Sequence, residues 1–209
     1  MPASLPNPES SLRFGVAILA AGASTRMGSP KLLLPWADTT VIGHLISQWR
    51  KLNSAQTAIV LRPHDSVLAA ELDRLHFRPA NRIANPQPER GMFSSIQCAA
   101  AWAGWQADIS HWAIVLGDQP HLRPDTLLRL LDFAVRHPES ICQPARNGRA
   151  AHPVILPRPA FNELKGSTAA TLKDFLSATA IQRVQCETDD PGLGQDLDTP
   201  EDYRRLTVR

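Results

Sequence analysis

Apolar residues along this chain fall into short dense runs, separated by longer stretches in which they recur every three or four positions. The runs FGVAILA at 14–20, TAIVL at 57–61 and WAIVL at 112–116 are too short for helices of ordinary length and too apolar for half-exposed strands. Such runs predict strands buried on both faces, the pattern of a parallel sheet covered by helices. Between the first two, TVIGHLISQWRKL at 40–52 places Val41, Leu45, Ile46 and Trp49 near one helical face. Further helices are predicted over 66–75 with Asp65 or Ser66 as N-cap, over 91–102, from Pro124 at N1 to about Val135, over 169–176, and from Pro200 onward. Shorter strands are predicted at 82–84, 141–144, 153–156 and 181–185. The alternation implies an α/β protein, a three-layer α/β/α sandwich around a Rossmann-like, mostly parallel sheet.

Composition narrows the class of protein. At 209 residues, with no linker-like stretch and no internal repeat, the chain predicts one domain over 13–209. The opening MPASLPNPESS carries three prolines and lacks a basic stretch ahead of an apolar core, so 1–12 is expected to be a disordered leader, not a signal peptide. A net charge of +2 is too small to imply nucleic acid as a partner. Cys98, Cys142 and Cys186 are far apart and form no C-x-x-C pair, which fits buried, reduced thiols. No run approaches the roughly 18 apolar residues of a membrane span. A cytoplasmic location follows as the expectation.

The most informative segment is LAAGASTRMGSPK at 19–31, where the first strand breaks into a loop of small residues. Ala20, Ala21, Gly22 and Ala23 leave room for main-chain N–H groups to meet an anion, Ser24 and Thr25 add hydroxyls, and Arg26 and Lys31 add fixed charge. The spacing excludes a P-loop, which needs Lys directly after its second Gly, and a dinucleotide fingerprint, which needs three glycines where only Gly22 and Gly28 stand. In full, the pattern L-A-A-G-x-S-x-R-M-G-x-x-K resembles the signature loop of the MobA-like nucleotidyltransferases, closest to their molybdenum cofactor cytidylyltransferase branch.

That resemblance, which runs from Phe14 to Leu206, implies the nucleotide-diphospho-sugar transferase type of fold. It also implies that Leu19, Ala20, Ala21, Gly22, Ser24, Arg26 and Lys31 wrap the triphosphate of an incoming NTP. The Ala20-Ala21-Gly22 triplet favours CTP, since guanylyltransferases tend to have Ala-Gly-Gly. In this reading Arg26, Lys31 and Asp118 are the catalytic residues, and loss of the Lys31 charge should weaken NTP binding and catalysis together while leaving folding unaffected.

A second landmark is WAIVLGDQPHL at 112–122, where a buried strand ends at Asp118. Ligands gather at the carboxyl ends of strands in an open parallel sheet, and a carboxylate there can hold Mg²⁺ against a triphosphate. The competing use of Asp118 is as a turn or helix-capping aspartate ahead of Pro120 and Pro124. In the segment DLDTPEDY at 196–203, Thr199 is a natural N-cap and Pro200 an N1 residue, so capping explains much of the pattern. The resemblance assigns Asp198, and with less weight Asp196, to the metal or its water shell.

Three further segments gain a role only through the resemblance. NPQPERGMFSS at 85–95 implies that Asn85, Gly91 and Ser94 line the nucleobase and ribose, and the Asn85 amide suits a base edge or sugar hydroxyl. GRAAHPV at 148–154 implies that His152 and Pro153 receive the acceptor, although Ala151 stands where glycine is usual. At 166–170 Ser167 replaces an expected aspartate. The activity implied is transfer of NMP, CMP favoured, from an NTP to a phosphate on a small acceptor of the molybdopterin type, releasing pyrophosphate, with Mg²⁺ as cofactor and a molybdoenzyme as possible recipient of the product. The alternatives are a guanylyltransferase, a transferase acting on sugar or alcohol phosphates, or a non-catalytic cofactor-binding chaperone.

Overall fold

The computed structural model describes residues 12–23 and 27–207. The expected leader up to position 11 therefore lies outside the described residues, as do Ser24, Thr25 and Arg26. The strands are β1 (Phe14–Leu19), β2 (Pro35–Trp36), β3 (Thr39–Thr40), β4 (Gln56–Leu61), β5 (Arg82–Ala84), β6 (His111–Leu116), β7 (Ile141–Arg146), β8 (Arg149–Ala150), β9 (Val154–Pro157) and β10 (Arg183–Glu187). The helices are α1 (Val41–Lys51), α2 (Ser66–Arg74), α3 (Met92–Ala101), α4 (Pro124–Arg136), α5 (Arg158–Glu163), α6 (Leu172–Ala178) and α7 (Pro200–Thr207).

The main sheet has the order β10-β7-β9-β6-β1-β4-β5, with β8 added to β7, and β2-β3 form a separate hairpin. β1 lies between parallel neighbours, with Ile18 opposite Ile59 of β4 and Val115 of β6. β9 runs antiparallel to both β6 and β7 and makes the sheet mixed. Successive β1 residues serve opposite layers, as the period of a strand requires. Val16 and Ile18 pack with Leu45, Trp49, Leu72, Leu127 and Leu206 from α1, α2, α4 and α7, whereas Ala17 and Leu19 pack with Ile96, Phe161 and Phe175 from α3, α5 and α6. The three layers inferred from the sequence are those observed.

Local chemistry sets the element ends. Asp65, not Ser66, caps α2, accepting from the Leu68 amide at 3.0 Å. The predicted helix at 169–176 begins only at Leu172, because Thr171 is its cap and accepts from the Asp174 amide. The predicted strand at 181–185 is observed at 183–187. Short α5 was not anticipated, nor was the β7-β8 hairpin, whose turn residues Asn147 and Gly148 both have positive φ. An Asn-Gly pair favours that turn because both positions tolerate the left-handed region. Among the described residues, no helix is long and apolar enough to cross a membrane.

Candidate active site

The carboxyl ends of β1 and β6 approach closely because residue 117 is glycine. Its amide donates to the Leu19 carbonyl at 3.0 Å, and a Cβ at this position would sit 2.6 Å from that same oxygen. The chain leaving β1 keeps its pairing for one more residue, with the Ala20 amide on the Val60 carbonyl at 2.8 Å, and then opens at Ala21 and Gly22. A cleft of ≈ 450 Å³ lies here. Leu19, Ala20, Ala21, Gly22, Lys31, Gly91, Met92, Ser95, Asp118, His152, Asp196 and Asp198 are among the residues that line it.

Lys31 stands between two carboxylates from distant parts of the chain. Its Nζ lies 2.7 Å from Asp118 Oδ2 and 3.2 Å from Asp198 Oδ1, and the three side chains are 13%, 21% and 24% exposed. Burial pulls the Lys31 pKa down, but the Asp118 and Asp198 charges and hydrogen bonds outweigh it and raise it above the ordinary value. The ammonium is therefore a permanent cation. Lys31 also pairs with two partly buried acids, a part in the folded chain that the expectation of unaffected folding left out.

The capping alternatives for the two aspartates separate cleanly. α4 begins six residues beyond Asp118, with Arg123 at its N-cap position, while Asp118 Oδ1 is buried with no hydrogen-bond partner among the described residues. Thr199 performs the capping at α7. Its Oγ1 accepts from the Asp202 amide at 3.2 Å and Asp202 Oδ2 accepts from the Thr199 amide at 3.0 Å, a reciprocal box closed without the Asp198 side chain. Both aspartates thus face the cleft.

The segment expected to contact the base divides in two. Gly91, in the left-handed region at φ 87°, lines the cleft, as do Met92 and Ser95. Asn85 and Ser94 do not: Asn85 is 1% exposed, and its Nδ2 donates to Ser94 Oγ at 2.8 Å and to Ser95 Oγ at 2.9 Å. Asn85 Oδ1 accepts from the Gln87 amide at 2.9 Å. The placement of Asn85 and Ser94 against a ligand is corrected to one behind the cleft wall, because both amide donors are already engaged. Ser95 and Met92 are the neighbours that reach the cleft.

On the opposite side, His152 lines the cleft and Pro153 is buried beside it, joined through a cis peptide bond. His152 Nδ1 is 3.3 Å from the Ile114 carbonyl, which can only accept, so Nδ1 carries the proton and Nε2 presents a lone pair. Burial lowers the His152 pKa, against smaller contributions from the Ile114 hydrogen bond and the Asp118 and Asp196 charges, and the ring is neutral. Asp196, given less weight from sequence, lines the cleft and is held by buried Gln119, whose Nε2 donates to Asp196 Oδ1 at 2.9 Å. No sequence signal had singled out Gln119 apart from its place after Asp118.

The small-residue loop after β1, Lys31 and the aspartates meet in one cleft at the carboxyl ends of parallel strands, where open α/β sheets bind their ligands. The model of the MobA-like NTP transferase domain matches residues 16–184, and the chain belongs to this family of nucleotidyltransferases. It is 27% identical over 192 residues to the molybdenum cofactor cytidylyltransferase of Escherichia coli (strain K12), covering 89% of this chain and 91% of that protein. The bifunctional protein GlmU of Ruegeria pomeroyi is 30% identical over 79% of this chain, which spans only 35% of GlmU. Among solved structures, Rv0371c from Mycobacterium tuberculosis H37Rv superposes with a TM-score of 0.72 at 26% identity, covering 95% of this chain and 99% of that one.

Proposed function

We propose that this nucleotidyltransferase moves CMP from CTP to a phosphate of a molybdopterin-type cofactor, with Mg²⁺, and releases pyrophosphate. The observation that carries the reading is the Lys31 ammonium shared by Asp118 and Asp198 beside the Ala20-Ala21-Gly22 loop. Support for the particular donor and acceptor comes from the name of the Escherichia coli relative and from the small-residue triplet itself.

The residues present fit Mg²⁺. Asp118 Oδ1 is a buried oxygen without a hydrogen-bond partner among the described residues, and Asp118 and Asp198 are hard donors that face one cleft. Among the described residues no three His, Cys, Asp or Glu side chains gather into a closed metal cage. Mg²⁺ favours such open sites, taking one or two carboxylates and completing its shell with phosphate oxygens and water. When bound, it would neutralise the triphosphate and stabilise charge developing at the α-phosphate.

The chain's own groups then have separable tasks. The amides of the loop after β1 and the Lys31 ammonium hold the triphosphate, so the α-phosphate is fixed for in-line attack. The acceptor's phosphate oxygen is already ionised and needs no general base, which agrees with a neutral His152 that can accept a hydrogen bond through Nε2 and orient the acceptor. No covalent intermediate on Ser or Cys is required.

The test is transfer of label from CTP carrying radioactive α-phosphate to purified molybdenum cofactor, run beside GTP and beside sugar and alcohol phosphates. Labelled cofactor with CTP, and little with the rest, is the expected result. Turnover of another acceptor would refute the named substrate, and binding of cofactor without pyrophosphate release would favour a carrier role.

A further inference from the structure

Asp118 and Asp198 are 80 positions apart, yet they meet at one ammonium. Five hydrogen bonds join the segments that carry them, in antiparallel order. The Leu197 amide donates to the Asp118 carbonyl at 3.0 Å, Gln119 Nε2 to Asp196 Oδ1 at 2.9 Å, and His121 Nε2 to the Gly192 carbonyl at 3.1 Å. Further out, the Arg123 amide and Thr126 Oγ1 donate to Asp190 Oδ2 at 3.0 and 2.8 Å. Of these links, the one from Gln119 ends on a side chain that lines the cleft.

The charges explain why a neutral donor is needed there. Asp118, Asp196 and Asp198 all line one cleft, and Lys31 pairs with Asp118 and Asp198. Asp196 stands two residues before Asp198 on the same arm, so repulsion that moved Asp196 away would carry Asp198 with it. Gln119 is 4% exposed, and its amide stabilises Asp196 in place without adding a charge that would compete with a metal.

We propose that Gln119 is a positioning residue for metal capture: by holding Asp196 it keeps Asp198 opposite Asp118 at the spacing a divalent cation can share. The proposal rests on the Mg²⁺ reading above. Gln119 itself stands outside the cleft lining.

The test compares Gln119→Met, near in length but without a donor, with Thr126→Val, which cuts the far end of the same link. Mn²⁺ binding is read by electron paramagnetic resonance in the presence of a non-hydrolysable α,β-methylene CTP, and melting temperature is read on the same samples. Gln119→Met should bind Mn²⁺ about tenfold more weakly, the low end for a lost hydrogen bond to a charged group. It should raise the apparent KM for Mg²⁺ more than it lowers kcat at saturating Mg²⁺. Thr126→Val should lower the melting temperature and leave Mn²⁺ affinity unchanged. Unaltered Mn²⁺ affinity in folded Gln119→Met, or equal weakening in both variants, would overturn the positioning role. A wild-type protein that bound the analogue but took up no Mn²⁺ would refute the metal reading and this proposal with it.

Discussion

Replacing Lys31 by Met separates two things that this residue does at once. In the free protein the ammonium neutralises Asp118 and Asp198 at 2.7 and 3.2 Å, so its loss leaves two partly buried carboxylates facing each other. Removing one partner of a fully buried pair costs ~3–5 kcal/mol, while exposed pairs are worth ~0–1 kcal/mol. With side chains 13–24% exposed, the cost should fall between these limits, at about 2 kcal/mol. For a chain of this size that corresponds to a drop of roughly 4–8 °C in melting temperature. Added Mg²⁺ then reverses the order of effects. It meets two carboxylates without the Lys31 ammonium between them, so Mg²⁺ alone should stabilise Lys31→Met more than wild type, whereas Mg²⁺-CTP should bind the variant about 10–100-fold more weakly. The sign with pH follows from a raised Lys31 pKa: the stabilisation is complete below the unfolded value of 10.5 and is lost only as pH rises through the higher folded value. The gap between wild type and variant should therefore stay constant from pH 7 to about 9.5. Differential scanning fluorimetry with Mg²⁺ titrations and calorimetry with CTP measure both halves. An unchanged melting temperature, or Mg²⁺ stabilisation no larger in the variant, would refute the shared-cation geometry.

Gly117→Ala should cost ~1–3 kcal/mol by denaturant titration, because its Cβ would sit 2.6 Å from the Leu19 carbonyl, and it should impair turnover further by displacing Asp118. His152→Ala should raise KM for the acceptor and leave CTP affinity by calorimetry unchanged; a weakened CTP affinity would place this ring on the donor side instead. His111 is buried on β6 with Nε2 on the Pro138 carbonyl, and burial lowers its pKa, so the unfolded chain takes up a proton first and stability falls as pH drops below 6.5. His111→Phe should flatten that acid limb in pH-dependent melting, and an identical limb would exclude His111 as its source. Burial, with a smaller contribution from Cys186, pushes the Cys142 thiol up to about 12, so alkylation of native protein at pH 8 should leave Cys142 unlabelled by peptide mass mapping.

The inner strands were readable from sequence because a strand buried on both faces is apolar along most of its length, as the runs at 14–20, 57–61 and 112–116 are. Direction was not readable: Val154–Pro157 is apolar whichever way it runs, and only the tertiary pairing makes β9 antiparallel to β6 and β7. α5 is hidden by its six-residue length, too short for a helical period to show. The loop after β1 and the aspartate after β6 could be singled out because each is local in sequence and stands at the ends where a parallel sheet collects ligands. What the motif did not contain was the pairing of Lys31 with acids 87 and 167 residues away, which changes the lysine from a ligand contact into part of the folded state as well.

Asn85 illustrates a different limit. A carboxamide has the same donors and acceptor whether it meets a nucleobase or two serine hydroxyls, so its chemistry cannot reveal which way it faces. The backbone decides the matter: Asn85 continues β5 with its amide on the Leu61 carbonyl, and the turn into α3 brings Ser94 and Ser95 over its side chain. His152 is ambiguous for a related reason, since a histidine's charge state follows from its surroundings and not its spacing. Only its burial and the Ile114 carbonyl select the neutral ring with a free Nε2. The cleft is thus walled by four separate segments, near residues 91–95, 118–119, 152 and 196–198, that only the fold brings together. Such features leave no periodic trace in a single chain, and for that reason both the donor and the acceptor are to be identified by assay.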